Sequence, residues 1–99
     1  MAGIVDGRQT PEKNYYIPIL QALVDAGGWA TRGDIVSRVE PKMTFVPADL
    51  VHRPDGTQKW VRRVGYAIGT LRKNGRIVPA ARNGVTITEK GREDLSRSI

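Results

Sequence analysis

The sequence predicts an α+β, mainly α fold of the winged helix-turn-helix type: a three-helix core, a short strand plus a C-terminal β-hairpin wing, and a short last helix. Three observations predict it. Lys59 to Lys73 alternates apolar and basic residues at helical spacing. Arg76-Ile77-Val78-Pro79 and Val85-Thr86-Ile87-Thr88 are strand-like runs, and Asn83-Gly84 between them is a hairpin signal. Upstream, two shorter helical patterns end at Gly27-Gly28 and at Pro41.

Residues 1–13 mix Gly, Asp, Arg, Gln and Pro without periodicity and read as a flexible N-terminal arm, leaving 14–99 as the domain. From Tyr16 to Asp25, Ile17, Leu20, Leu23 and Val24 fall on one helical stripe. Pro18 belongs in a first turn, so this helix begins near Tyr15 or Ile17. Trp29-Ala30 is a short strand or hinge, and the natural third partner for the hairpin, because an isolated two-stranded ribbon is marginal. Thr31 reads as the N-cap of a second helix, Arg32 to Val39, with Asp34 in the capping-box position and Ile35, Val36 and Val39 buried. Pro47 to Leu50 suits a short helical turn, and His52 to Thr57, with Pro54-Asp55-Gly56, a turn-rich loop.

The third helix is the best-defined element. With Arg62 at zero and about 100° per residue, Trp60, Val64, Ala67, Ile68 and Leu71 fall between about 140° and 240°, with Val61 beside them. Lys59, Arg62, Arg63, Tyr66, Gly69, Thr70 and Lys73 fall between about −20° and 100°. One face is a core stripe and the other a basic, hydrogen-bonding stripe. Asn74-Gly75 stops the helix, Pro79 marks the first hairpin strand as an edge or its end, and Thr88 caps a last helix reaching towards Ser96. Trp29 and Trp60 lie in apolar patterns and are expected in the core. Tyr15 and Tyr16 are expected to pack against the body with their hydroxyls at its edge.

Charge divides the chain. Residues 1–51 carry five bases and six acids, whereas 52–99 carry eleven bases and four acids. No acid occurs between Asp55 and Glu89, a span holding Lys59, Arg62, Arg63, Arg72, Lys73, Arg76 and Arg82. Cations clustered in this way suit a polyanion, because binding releases its condensed counterions. With no cysteine there is no disulfide and no thiolate-built zinc site. No apolar run approaches the ~20 residues that span a bilayer, and no signal-peptide core follows Met1, so the expected location is the cytoplasm, associated with the nucleoid.

Several segments together resemble a known family. They are Ile17-Pro18-Ile19-Leu20-Gln21-Ala22-Leu23 with Gly27-Gly28, Asp49-Leu50, Pro54-Asp55-Gly56, and Trp60 with Val64, Ala67 and Leu71. Arg72-Lys73-Asn74-Gly75-Arg76-Ile77 and Thr86-Ile87-Thr88-Glu89-Lys90-Gly91-Arg92-Glu93 complete the set. Over about residues 15–95 the chain resembles the N-terminal winged-helix domain of Mrr-type restriction proteins. The resemblance implies a module that binds duplex DNA; in Mrr-type proteins it precedes a nuclease domain and helps select DNA, in some cases modified DNA. The sequence ends at Ile99 without room for that nuclease. The expectation is a free-standing binder, such as a transcriptional regulator or a phage or defence-system accessory protein, or else a domain excised from a larger protein. The competing expectation is a docking or dimerisation module, for example a phage protein that binds a host factor, using the less charged first half.

A helix seated in the major groove offers its polar face to base edges and its flanks to phosphates. Arg62, Arg63 and Tyr66 are the leading candidates for groove contacts, with Thr70 one turn further on. Lys59 and Lys73 are candidate phosphate clamps. Arg82 at the wing tip is a candidate for the minor groove or a flanking phosphate, and Arg76 stands at the strand entry. Thr31 and Arg32 open a helix whose free N–H groups suit a phosphate. The alternative for Thr31 is capping alone, and for the others an ordinary solvated surface. No enzyme, cofactor or metal is expected: His52 is the sole histidine, and Pro54-Asp55 is half of a PD-(D/E)xK nuclease motif whose acid-x-Lys half is missing.

Overall fold

The computed structural model describes residues 8–98. A 3-10 turn at Glu12–Tyr15 leads into α1 (Tyr16–Asp25), followed by β1 (Trp29–Thr31), α2 (Arg32–Val39), α3 (Lys59–Lys73), β2 (Ile77–Ala80), β3 (Gly84–Ile87) and α4 (Glu89–Arg97). The sheet is antiparallel in the order β1-β3-β2, so Trp29-Ala30-Thr31 is the third strand and Pro79 lies on an edge strand, where its missing N–H is harmless. Three helices around one core with a hairpin packed beside them is the winged-helix arrangement. No helix among the described residues is long and apolar enough to cross a membrane.

Local chemistry sets the boundaries. Gly27 (φ +89°) and Gly28 (φ +103°) end α1 in a Schellman turn, with Gly28 N–H donating to the Leu23 carbonyl (2.7 Å) and Gly27 N–H to that of Val24 (3.0 Å). Thr31 caps α2 by accepting from Asp34 N–H (3.2 Å). The Asp34 carboxylate pairs with Arg38 (3.1 Å), one turn along the helix. Thr88 caps α4 through Gly91 N–H (3.1 Å), while its own hydroxyl reaches the Gly75 carbonyl (2.7 Å). The Pro47–Leu50 turn forms as expected.

The core comprises Tyr15, Ile19, Leu20, Ala22 and Leu23 of α1 and the turn before it, Ala30 of β1, Ile35 and Val39 of α2, Trp60, Val64, Ala67, Ile68 and Leu71 of α3, and Ile77, Ile87 and Leu95. The α1 stripe is rotated from expectation: Ile19 is buried and Ile17 stands out at 36% exposure. Consecutive Ile17-Pro18-Ile19-Leu20 offers two overlapping stripes, and packing selects the one through Ile19. Trp29 is likewise not a core residue. It is 36% exposed and its indole covers Gly84, where any Cβ would collide with the ring, while its Nε1 donates to the Ala81 carbonyl (3.1 Å). The tight turn therefore falls one residue before the expected Asn83-Gly84 pair. Arg82 (φ +60°) and Asn83 (φ +58°) are its central residues, and Gly84 N–H closes it onto Ala81 (3.1 Å). Gly84 is needed under Trp29 rather than in the turn.

The expected arm, residues 1–13, divides: residues 1–7 lie outside the described residues, and the rest is docked. Thr10 is buried, and its N–H (2.8 Å) and hydroxyl (2.6 Å) both donate to the fully buried carboxylate of Asp49. Asp49 also accepts from Val46 N–H (3.0 Å). Two sequence-distant segments are thus fixed by one carboxylate, a pairing that no local pattern announces. Tyr15 departs from expectation too, because its hydroxyl is buried with no hydrogen-bond partner among the described residues. Desolvation, followed by the nearby Asp49 charge, pushes its pKa from 10.0 to about 12.

Two predictions follow from this packing. A Cβ at Gly91 would strike the Arg76 carbonyl oxygen, whereas Gly69 in α3 faces open space. Gly91→Ala should therefore cost about 1–3 kcal/mol in urea unfolding, and Gly69→Ala should add about 0.5–1 kcal/mol. Tyr15 favours its neutral form in the folded chain, so its contribution is complete below pH 10.0 and is lost as pH rises towards about 12. Tyr15→Phe should remove that part of the alkaline loss and, by deleting an unsatisfied hydroxyl, leave stability at neutral pH unchanged or raised by up to about 1 kcal/mol.

Candidate nucleic-acid interface

Burial of the α3 core stripe turns the opposite face outward. At its centre Tyr66 is half exposed, with the Arg62 guanidinium 5.3 Å from its ring centroid and Arg62 Nε donating to its hydroxyl. A cleft of about 410 Å³ beside this pair is lined by Gln9, Arg53, Lys59, Arg62, Arg63 and Tyr66. A second, of about 370 Å³, is lined by Arg32, Arg53, Asp55, Thr57, Val61, Arg62, Gly65 and Tyr66. Asp55 is the one acid in either lining.

Two of these arginines come from outside α3. Arg32, the first residue of α2, lays its guanidinium across Gly65, where a Cβ would collide with it. Arg53 comes from the loop before α3, which is closed by Arg53 N–H to the Thr57 carbonyl (2.7 Å) and Gly56 N–H to the Arg53 carbonyl (2.8 Å). Asp55 braces that loop. It accepts from the Thr57 N–H (2.9 Å) and hydroxyl (2.7 Å) and pairs with Arg53 (2.9 Å). The Thr57 hydroxyl and N–H, then the Arg53 and Arg62 charges, hold its carboxyl below the usual range. Arg53 and Gly65 were not singled out from the sequence. The Asp55-x-Thr57 spacing, which makes a local side-chain turn, was the available signal for the loop.

Of the sequence-predicted residues, Arg32, Lys59, Arg62 and Tyr66 come together on this face. Arg63 lies on its flank, where its Nε donates to Gln9 Oε1 (3.4 Å). Thr70 is covered by the N-terminal segment, its hydroxyl donating to Glu12 (2.7 Å). Glu12 also accepts from the Tyr16 hydroxyl (2.6 Å), and these two hydroxyls, with the Arg63 charge, lower its pKa. Lys73 lies near the far end of the helix, in a cleft of about 450 Å³ shared with Gly69, Arg72, Ile77, Val78 and Pro79, between α3 and β2. Arg76 is engaged elsewhere: its Nε pairs with Asp94 of α4 and its Nη1 donates to the Asn74 carbonyl (2.9 Å). Arg82 is exposed at the wing tip.

Fold and face together define a small winged-helix domain with a basic, arginine-ringed third helix. The chain belongs to the Mrr N-terminal domain family, whose model matches residues 13–97. No curated protein and no solved structure matches it.

The left-handed backbone of Arg82 has a measurable consequence. An L-residue there carries about 1–2 kcal/mol of steric cost that glycine escapes. Arg82→Gly should accordingly raise the midpoint of thermal unfolding while removing the cation at the wing tip.

Proposed function

We propose that this domain binds duplex DNA through the exposed face of α3, with the β2–β3 hairpin as a second contact, and that it carries no catalytic activity of its own. The observation that supports this reading is the exposed Arg62–Tyr66 pair ringed by Arg32, Arg53 and Lys59, with a single acid among the lining residues. The first turn of α3 supports it further: it holds no acid and carries Lys59 and Arg62. Cations at the positive end of a helix are locally unfavourable, and a bound polyanion reverses the sign of that interaction.

In this arrangement Arg62 reads a base edge, with two donors suited to the O6 and N7 of guanine, and Tyr66 fixes its direction. Lys59, Arg32, Arg53 and Lys73 grip phosphates on either side. Gly69 keeps the face low for a close approach, and Arg82 reaches the neighbouring minor groove or its phosphates. Arg63 contributes from the flank. Thr70 and Arg76 hold the fold through Glu12 and Asp94. Any chemistry on the DNA then falls to another domain or another protein.

Fluorescence anisotropy with a labelled duplex tests the reading. Contact with roughly four to six phosphates gives a log–log salt slope of about −3 to −6. Arg62→Glu should weaken binding by at least about 30-fold with the fold intact by circular dichroism, and Arg82→Gly should weaken it more modestly. Arg76→Gln should lower stability and leave affinity nearly unchanged. Absence of duplex binding at low salt would overturn the proposal.

A further inference from the structure

A larger cavity, about 990 Å³, lies between the N-terminal segment, the first turn of α1 and the stretch from Lys42 to Pro47. Ile17, Pro18, Met43, Val46 and Pro47 give it an apolar floor, and Ile17 and Val46 remain 36% and 40% exposed. Arg8, Lys13 and Lys42 stand around it, and no acid is among its lining residues. Lys42 is held in place by Asp25 (2.8 Å).

Two lining segments of the groove are also fixed relative to each other. Thr10 and Val46 both line it, and both are tied to the buried Asp49 carboxylate through Thr10 N–H, Thr10 Oγ1 and Val46 N–H. Pro11, Pro18 and Pro47 fix the backbone of its walls. A groove that is rigid before binding loses little entropy when it is filled. An apolar floor under a cationic rim complements one kind of chain: large aliphatic or aromatic side chains to fill the floor, flanked by carboxylates to meet Lys13 and, at the Asp25-paired Lys42, to share its remaining donors. Nucleic acid fits less well, because phosphates and sugars gain nothing from burying Ile17, Met43 and Val46. The α3 face, by contrast, presents guanidinium groups around one tyrosine.

We infer that this groove is a docking site for a short acidic segment of a protein partner that carries interspersed large apolar side chains. The inference goes beyond DNA binding and does not rest on it.

The test uses the full chain and a fluorescein-labelled twelve-residue peptide in which pairs of Asp or Glu alternate with pairs of Leu or Phe. Anisotropy should show saturable binding with a Kd on the order of 10–100 µM. Ile17→Asp and Lys13→Glu, both at exposed positions, should each weaken it by about tenfold or more. Amide chemical-shift changes should centre on Ile17, Met43 and Val46, and Arg62→Glu should leave peptide affinity unchanged. No saturable binding overturns the inference. So does equal binding of an oligoglutamate of the same charge, which would make the attraction purely electrostatic. A loss of duplex affinity in Ile17→Asp as large as its loss of peptide affinity would reassign the groove to DNA, and a concentration-dependent dimer dissolved by Ile17→Asp would reassign it to a second copy of this chain; either overturns it.

Discussion

The rest of the molecule depends on the burial of one stripe of α3. Trp60, Val64, Ile68 and Leu71 are all at least nine-tenths buried. At about 1.5–3 kcal/mol for each large apolar side chain, these four supply on the order of 6–12 kcal/mol. That is comparable with the whole net stability of a small domain, so α3 has no freedom to roll. A one-residue rotation would expose Trp60 and bury an arginine. The aim of Arg62 and Tyr66 is therefore a consequence of core packing, and local forces only refine it. Lys59 and Arg62 at the positive end of the helix dipole cost about 0.3–1 kcal/mol each, too little to compete.

The same comparison explains what was legible in the sequence. Elements whose position follows from their own residues were readable: α3 from its two faces, α2 from Thr31 and Pro41, the end of α1 from Gly27-Gly28, the edge strand from Pro79. Features decided by distant partners were not. Asp49 looks like any loop acid until Thr10 and Val46 converge on it, and the docking of residues 9–13 follows from that convergence. Trp29 sits in an apolar pattern, yet the hairpin comes to it, so its ring closes over Gly84 at the surface. The turn register moved by one residue for the same reason: Asn83-Gly84 is a strong local signal, and a tertiary contact used the glycine for another purpose.

The candidate interface divides along the same line. The α3 residues Lys59, Arg62 and Tyr66 follow from helical periodicity alone. Arg32 and Arg53 join them only because α2 and the 51–58 loop fold back on that face, and Gly65 matters only because Arg32 crosses it. Thr70 shows the opposite outcome. Its angle on the helix is close to that of Tyr66, but Glu12 arrives from the N-terminal segment and takes its hydroxyl. Arg76 is likewise engaged by a distant partner, Asp94. A helical wheel gives the direction of a side chain and leaves open what stands in front of it.

The N-terminal segment consequently has two sides with different chemistry. Towards α3 it presents Gln9 to Arg63 and Glu12 to Thr70, which narrows the basic face to Arg62, Tyr66 and the arginines beyond. Away from Asp49, Thr10 and Pro11 form a wall of the apolar groove whose floor includes Ile17 and Val46. The buried Asp49 carboxylate ties Thr10 to the Val46 stretch, while Gln9–Arg63 and Glu12–Thr70 tie the same segment to α3. The segment is therefore shared between the two surfaces, and hydrogen bonds fix its position towards each of them.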